Sequence, residues 1–418
     1  MEYDVFFSIS QTPVAGVIPS EAEMFRNFFA QVEAADALGF GTAWVANAHL
    51  STEVQKRHVN AVVPHWQGEI GLSTDILQLA HAVFARTQRI HVGSAVANLL
   101  VNGGPVAAAE RLAMFATLRG LAPGPRRTLR YGFAAGRFDF MNRAHGVGPR
   151  DALEAAAWPV LKGLVFAEAC EVFLRLLGGE ALAGADVAPP VLHRGQFRSD
   201  ADWERVVDAA RAAGRTALDR IELPRRAAFD VLRIIPADWD RSLVELYLGS
   251  HDAPLQEAVN RWCPVKVFNL SITAPAVIDD THRRMAAAFH PAGGPWRRAH
   301  MPRTVMVFVN DEPGLSPASR RAAARAEAEA ALSAYWTALE GTLDPRKVSA
   351  AADNAVVGDV DEVAAQIATR FHPDDALMLW FDFFNHDSPR VVRNMEAFAR
   401  KVAPQVAARL AAGGVHGE

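Results

Sequence analysis

The chain has 418 residues, 50% of them hydrophobic and 22% charged, with a formal net charge of −4 at pH 7. A chain of this composition can bury a substantial core, and its interspersed charges form no basic patch that would suit nucleic acid. The two cysteines, Cys170 and Cys263, lie far apart without CxxC spacing, which argues against a disulfide scaffold and a structural zinc site.

The N-terminal residues, MEYDVFFSIS, contain neither the basic segment nor the long apolar segment of a signal peptide. No apolar run elsewhere approaches the ~20 residues that a membrane span needs. We therefore expect a soluble, cytoplasmic protein that binds neither nucleic acid nor a membrane.

Strand-like and helix-like runs alternate through the first third of the chain. The strands are predicted at 4–10, 42–49, 89–100 and 127–136. The helices between them are predicted at 21–38, 73–86 and 105–120. Gly39 stands where a helix C-cap favours glycine. Four βα units in this order predict a parallel sheet with right-handed crossovers.

The middle of the chain interrupts this alternation. Residues 150–178 and 201–219 have helical patterns, and 191–197 could pair with 228–236 as an antiparallel excursion. Strand patterns then resume at 243–250, 265–271, 304–311 and 375–384, and a long alanine-rich helix is predicted at 316–340.

Eight near-continuous apolar strands are what a closed parallel barrel requires, because its strands are buried on both faces. The predicted fold is therefore α/β, a (β/α)8 TIM barrel. Residues 1–418 would form a single domain, with a mostly helical insertion after strand four at about 150–240. A doubly wound open sheet is the alternative.

In such barrels the chemistry lies at the C-terminal ends of the strands. The polar residues there are Ser8, Ser10, Asn47, His49, Ser94, Asn98, Arg137, Ser250, Asn269, Ser271, Asn310, Asp382, Asn385 and His386. This set is rich in hydroxyls and amides, poor in carboxylates, and contains no HExxH, CxxC or GxSxG motif. It indicates that a bound organic cofactor supplies the reactivity, and it offers no metal site.

Several blocks of the chain, in this order, resemble the bacterial-luciferase-like flavin-dependent monooxygenase family. They are ADALGFGTAWVANAHL, RIHVGSAVANLL, GGPVAAAERLAMFATLRG, RRTLRYGFAAGRFDFMNRAHGV and, near the C-terminus, AVVGDVDEVAAQIATRF with DALMLWFDFF. The resemblance is weakest through about 150–240. It implies a (β/α)8 barrel that binds reduced FMN, or in one branch the deazaflavin F420, and whose members mostly insert one oxygen atom of O2.

The resemblance assigns candidate catalytic residues to the end of the second strand. The family commonly has Glu-His-His-Phe there, and its first histidine assists chemistry at the flavin. This chain has Asn47, Ala48, His49 and Leu50 instead, so the first imidazole is replaced by a methyl group. Asn47 and His49 are the remaining candidates. A histidine that only caps a neighbouring loop is the alternative for His49.

The cofactor-binding candidates come from three further strand ends. The family's non-proline cis peptide beneath the flavin would fall at Ser94 and Ala95, where small residues admit the ring. Ala135 replaces the family's phosphate-binding arginine. Arg137, next to Gly136, could reach the same phosphate, and Ser250 matches the family's phosphate-binding serine. Ordinary barrel packing, a solvated arginine and a turn serine are the corresponding structural alternatives.

Together these features predict a two-component monooxygenase supplied with reduced FMN by a separate flavin reductase. It would act through a flavin C4a-(hydro)peroxide on a small or medium organic substrate, with O2 as co-substrate. A homodimer is expected through the second and third helices, with the apolar run 112–118 at the contact. An F420-dependent oxidoreductase and a non-catalytic luciferase-like partner subunit are the alternatives.

Three peripheral features complete the predictions. Asp382 and His386 could meet a substrate, although loop hydrogen bonds are the simpler role. The segment 50–72 is long enough to act as a lid. The mobile loop that covers the site in the family, expected before Ala355, is short in this chain.

Overall fold

The computed structural model describes residues 1–340 and 353–413, so the short loop expected before Ala355 lies largely outside the described residues. Within them, eight parallel strands form the barrel wall. They are β1 Glu2–Phe7, β2 Thr42–Val45, β3 His91–Ser94, β4 Leu129–Ala134, β5 Val244–Leu248, β6 Val265–Val267, β7 Arg303–Val309 and β8 Ala376–Trp380.

The strands pair in chain order and the ring closes. β1 to β5 each pair in parallel with the next strand, and β8 pairs with both β7 and β1. Between β6 and β7 the contact is a single parallel bridge from Asn269 to Arg303, with Asn269 N–H donating to Pro302 O at 3.0 Å. The predicted α/β barrel is therefore confirmed.

The helices surround this wall. They are α1 Glu21–Leu38, α2 Thr52–Gln55, α3 Ile76–Arg86, α4 Gly104–Leu121, α5 Asp139–Ala144, α6 Ala152–Leu177, α7 Asp200–Ala212, α8 Ala253–Val259, α9 Pro275–Ala288, α10 Pro317–Leu339, α11 Val360–Arg370, α12 Ser388–Ala397 and α13 Ala403–Gly413. Gly39 ends α1 in the left-handed region at φ 87°, as its position in the sequence predicted. None of these helices combines the length and the hydropathy needed to cross a membrane.

The segment between β4 and β5 contains α5, α6 and α7 together with two short antiparallel pairs. Val191–His193 pairs with Arg220–Glu222, and Leu182–Ala183 pairs with Val231–Leu232. The predicted pairing of 191–197 with 228–236 is therefore wrong. The buried side chains explain the difference, because Leu192 and Ile221 face each other in register.

The predicted strands run two to six residues too far at their C-terminal ends. β1 ends at Phe7 and β2 at Val45, after which the polar groups bond to a loop instead of a neighbouring strand. Ser10 Oγ accepts the Gly71 N–H at 3.0 Å. The sheet also contains Ala97–Asn98 beside β4 and Val356–Gly358 beside β7, and the second of these was missed because three residues carry little pattern.

Large rings and charges fill the lower and middle barrel. Phe6, Trp44, Tyr247, Phe268 and Met378 form one buried cluster. Gly93 makes room for Trp44, since a Cβ on Gly93 would lie 2.3 Å from the indole. Below this cluster, at the N-terminal ends of the strands, lies a network of four charged residues, Asp4, Arg130, Glu245 and Lys266. The open space of the barrel is thus confined to the C-terminal end.

Candidate functional site

Small residues line the floor of the barrel mouth. Ala46, Ala95 and Val96 pack on the ring cluster inside the barrel, yet each remains partly exposed. A Cβ on Gly249 would lie 3.1 Å from Val96 Cγ2 and 3.3 Å from Ala134 Cβ, so these residues adjoin. The ends of β2 to β5 therefore form one continuous, apolar and solvent-accessible surface.

The non-proline cis peptide lies in this floor, one residue later than predicted. The bond joins Ala95 and Val96, so the predicted position at Ser94 and Ala95 is wrong. The hydrogen-bonded pairing of β3 with β2 extends to Ala95, whose N–H donates to Val45 O at 2.8 Å. The chain therefore leaves the strand geometry only after Ala95.

A group of hydrogen-bond donors borders the floor at the ends of β4 and β5. Phe133 of β4 lies opposite Leu248 of β5. Ala135 and Ser250 each come two residues later, so the loops after the two strands begin side by side. In the part of the chain that the structure describes, the backbone N–H groups of Gly136, Arg137, Ser250 and His251 have no hydrogen-bond acceptor. Clustered N–H groups of this kind suit an anion.

Two side chains add to this group of donors. Ser250 Oγ accepts the Asp252 N–H at 3.2 Å, which leaves its own hydrogen free to donate. The Arg137 guanidinium lies over the Phe138 ring, 5.2 Å from its centroid, and makes no ion pair with any described residue. Arg137 is solvent-exposed, and an arginine stays protonated near neutrality.

Two asparagines hold the β4 loop in place. Asn98 Nδ2 donates to Asn142 Oδ1 at 2.7 Å, and Asn142 Nδ2 donates to Ala135 O at 3.1 Å. Gly136 has φ 74°, and a Cβ there would lie 2.1 Å from Asn98 Nδ2. Only glycine allows this approach. Asn142 was not among the predicted site residues, because it lies on α5 and reaches the site only after the chain folds back.

The predicted catalytic pair lies beside the floor and is engaged with structural partners. Asn47 Nδ2 donates to Ser73, 3.2 Å from its Oγ, and Ser94 Oγ lies 2.8 Å from Asn47 Oδ1. His49 Nδ1 is 3.5 Å from Asn102 Nδ2. Burial lowers the pKa of His49, and His145 and Arg111 lower it further. His49 is therefore a neutral imidazole near pH 7, and catalytic roles for Asn47 and His49 stay predictions.

The opposite side of the mouth, at the end of β8, is bulky and acidic. Met378 and Trp380 of β8 contact the ring cluster, so by strand alternation Asp382 continues the inward-facing row. Asp382 Oδ1 and Trp380 Nε1 are both buried, and neither makes a hydrogen bond of normal geometry to a residue that the structure describes. Burial raises the pKa of Asp382 to about 7, outweighing the nearby Trp380 indole and the Asp382 N–H, which lower it. Asp382 is thus a titratable group that can hold or release a proton near neutrality.

His386 has the structural role that the sequence favoured. Its Nε2 lies 3.0 Å from Thr12 Oγ1 and 2.5 Å from Thr12 O, which fixes the loop after β8 to the loop after β1. Among residues 1–340 and 353–413, no group of three or more His, Cys, Asp or Glu side chains is arranged to hold a metal.

The segment 50–72 is folded and packs over one edge of the mouth. Trp66 is buried, and its ring centroid lies 5.9 Å from that of Phe384. Ala48 packs in the same apolar cluster as Trp66, Val63 and Met141. The role of this segment as a lid stays a prediction.

Comparisons with known proteins agree with this fold. A sequence model of a family described as luciferase-like monooxygenase matches residues 1–211. Comparison with curated protein sequences gives no significant match.

Several solved structures share the fold over the whole chain. Monooxygenase RslO1 from Streptomyces bottropensis has a TM-score of 0.62 at 18% identity, covering 97% of this chain and 99% of that one. DmoA from Hyphomicrobium sulfonivorans has a TM-score of 0.59 at 13% identity, covering 98% and 88%. The oxygenating constituent of 3,6-diketocamphane monooxygenase from Pseudomonas putida, solved with FMN, has a TM-score of 0.53 at 13% identity, covering 97% and 99%. At these identities the likeness concerns the fold.

Proposed function

The chain belongs to the luciferase-like monooxygenase family, and from this membership we propose that it is a flavin-dependent monooxygenase that uses reduced FMN and O2 to oxygenate a small or medium organic substrate. One observation carries the proposal. The partly exposed apolar floor of Ala46, Ala95, Val96, Ala134 and Gly249 adjoins a cluster of unpartnered hydrogen-bond donors at Gly136, Arg137 and Ser250.

These two features match the two ends of FMN. A flat ring needs a surface without bulky side chains, and the floor offers methyl groups and a glycine. A phosphate needs backbone N–H groups, a hydroxyl and a cation, and Gly136, Ser250 and Arg137 offer one of each. When bound, reduced flavin supplies the electrons that activate O2, while the protein supplies position and surroundings.

The residues around the floor keep it poor in protons and water. Ala48 carries no proton where the family has a histidine, and its neighbours Val63, Trp66 and Met141 are apolar. Exclusion of water protects reactive intermediates. Asp382, with its pKa of about 7, is the described group at the mouth best suited to exchange a proton with a bound substrate.

A homodimer and a separate flavin reductase complete the proposal. Met114, Leu118 and Leu121 of α4 are large apolar side chains that remain exposed, and their spacing of three and four residues places them on one face of the helix. Such a face favours a second copy of the chain. Substituting Met114 and Leu118 by aspartate should halve the mass measured by light scattering.

The test of the proposed chemistry is anaerobic titration with reduced FMN followed by rapid mixing with O2. Reoxidation of the bound flavin should be slower than that of free reduced FMN, because the floor and its apolar neighbours limit access of water. Replacing Arg137 by leucine should weaken FMN binding about tenfold, whereas replacing the exposed Arg215 by alanine should leave it unchanged. Reoxidation at the rate of free FMN would exclude the proposed function.

A further inference from the structure

A second cavity lies on the outside of the barrel, between the start of α4 and the middle of α6. Its volume is about 260 Å³, just below the ~300 Å³ at which small-molecule pockets typically begin. Most of its lining is apolar and includes Leu100, Val106, Val165, Val172 and Phe229. It shares no lining residue with the barrel floor or its donors.

One acidic side chain, Glu168 of α6, lies in the wall of this cavity. It is 6% exposed. Its Oε1 accepts two backbone N–H bonds, from Arg226 and Ala227, each at 2.6 Å, and both of these residues also line the cavity. The carboxyl group is therefore held rigidly at the cavity surface.

The second oxygen of the same carboxyl group, Oε2, has no partner. It is buried and accepts no hydrogen bond from any residue that the structure describes. A buried polar atom without a partner costs about 1–3 kcal/mol, so native proteins leave few of them. The unpartnered oxygen beside an apolar cavity indicates that a donor from outside the chain completes the site.

The nearby cation is already engaged. Arg226 Nη2 donates to Glu154 at 2.7 Å and to Gly148 O at 3.0 Å, and Arg150 pairs with the same glutamate. Burial raises the pKa of Glu168, although the two N–H bonds and both arginines oppose this rise. The charges of this group, two arginines and two glutamates, balance, so the incoming donor need not carry a charge.

We propose that this cavity is a binding site for a small, mostly apolar molecule whose single polar group, a hydroxyl or an amine, donates a hydrogen bond to Glu168 Oε2. The apolar lining holds the body of the ligand, and the carboxyl oxygen fixes its head. The site is separate from the proposed flavin site and does not depend on the monooxygenase activity.

Three probes that share the same six-membered ring and differ only in the polar group test the proposal. They are cyclohexanol, cyclohexylamine and cyclohexanone. The first two can donate a hydrogen bond, whereas the ketone only accepts. Titration calorimetry on the full-length protein should show both donors binding at least about tenfold more tightly than the ketone. Equal affinities for cyclohexanol and cyclohexanone would overturn the proposal, and so would the absence of binding by either donor.

The variant Glu168→Gln should reverse this preference. Its amide oxygen must accept the two backbone N–H bonds, so its NH2 group takes the place of Oε2 and becomes a donor. The variant should lose about tenfold in affinity for cyclohexylamine, which as an ammonium only donates, and gain affinity for cyclohexanone, whereas cyclohexanol can donate or accept and should change less. A merely structural glutamate would not produce this reversal, and an unchanged preference would refute the site.

Two further variants keep the test decisive if Glu168→Gln fails to fold. Val106→Phe fills the cavity and leaves Glu168 in place, so it should abolish binding of both donors. Glu171→Gln, three residues further along α6, lies outside the cavity and should change nothing. Binding that survives Val106→Phe would place the probes elsewhere and contradict the proposal. Since Ser250→Ala affects only the barrel mouth, it should also leave this binding unchanged.

Discussion

The two ends of the barrel treat carboxyl groups in opposite ways. At the N-terminal end, Arg130 lies 3.4 Å from Asp4 and 3.3 Å from Glu245, and Lys266 lies 2.9 Å from Glu245. At the mouth, Asp382 has no cation beside it among the described residues, and its Oδ1 is buried. The first end thus pairs its carboxyl groups with cations, whereas the mouth leaves one without a cation.

Two carboxyl groups make the contrast quantitative. Burial would raise the pKa of both, but Lys266 and Arg130 outweigh it at Glu245 and lower that pKa to about 2. No cation among the described residues opposes burial at Asp382, and its pKa rises to about 7. The same barrel thus keeps Glu245 ionised with two cations beside it and leaves Asp382 poised to titrate with none. Asp4 lies between these cases, because its burial outweighs the single cation Arg130 and raises its pKa.

The largest predicted effect comes from breaking the paired end. Arg130→Met leaves Asp4 without its cation in a buried environment, which should lower the free energy of unfolding by about 3–5 kcal/mol. Urea unfolding at pH 7 measures this loss. The double variant Arg130→Met with Asp4→Asn removes the stranded charge and should recover part of the stability. A single variant within about 1 kcal/mol of the parent protein would show that the pairing contributes little.

The next effect concerns Asp382 and its dependence on pH. A rise of its pKa from 3.8 to about 7 corresponds to about 4 kcal/mol. Between these pH values the folded state holds the proton that the unfolded state has released, so stability falls as pH rises. Asp382→Asn should match the parent protein near pH 4 and exceed it by about 2–4 kcal/mol near pH 8.

Unfolding free energies at a series of pH values measure the Asp382 effect. Asp374→Asn, at an exposed position just before β8, controls for the loss of one carboxylate. A stability difference between Asp382→Asn and the parent protein that stays constant with pH would contradict the proposed titration. It would also remove Asp382 as the group that exchanges a proton at the mouth.

The barrel wall was easier to predict than the mouth, and the charged network at the N-terminal end was not predicted at all. The eight strands follow from apolar runs such as 243–250 and 375–384, because burial on both faces leaves a local pattern. The strand ends were predicted too long, and the cis bond one residue early, because both depend on where a strand leaves its neighbour.

Contacts between distant segments carry no local signal. Asn142 reaches Ala135 only through the turn before α5. The unpartnered state of Asp382 depends on everything packed around it. The alternation of Met378, Trp380 and Asp382 was visible in the sequence, and it indicated the direction of the carboxyl group but not its isolation.

Gly136 tests whether the mouth is preorganised. Gly136→Ala and Gly214→Ala both place alanine at a positive φ, 74° and 75°, which costs about 1–2 kcal/mol. Only at Gly136 would the Cβ meet another residue, Asn98 Nδ2 at 2.1 Å, whereas nothing lies within 4 Å at Gly214. We expect Gly136→Ala to lose about 2–3 kcal/mol of stability and about tenfold in FMN affinity. Equal effects of both substitutions on FMN binding would contradict a role for the Asn98 contact.

The smallest predicted effect distinguishes the proposed roles of the two parts of the mouth, the hydrogen-bond donors for the phosphate and the apolar floor for the ring. Ser250→Ala removes one hydroxyl, so FMN affinity should fall about five- to tenfold, equivalent to about 1–1.4 kcal/mol. Riboflavin has the same ring system without the phosphate, and its affinity should not change. Fluorescence titration of both flavins against the parent protein and the variant makes the comparison. A loss confined to FMN would assign Ser250 to the phosphate, because the proposed position of the ring is on the floor of Ala46, Ala95 and Gly249. Equal losses for both flavins would contradict that assignment, since the hydroxyl would then support the ring or the fold of the loop.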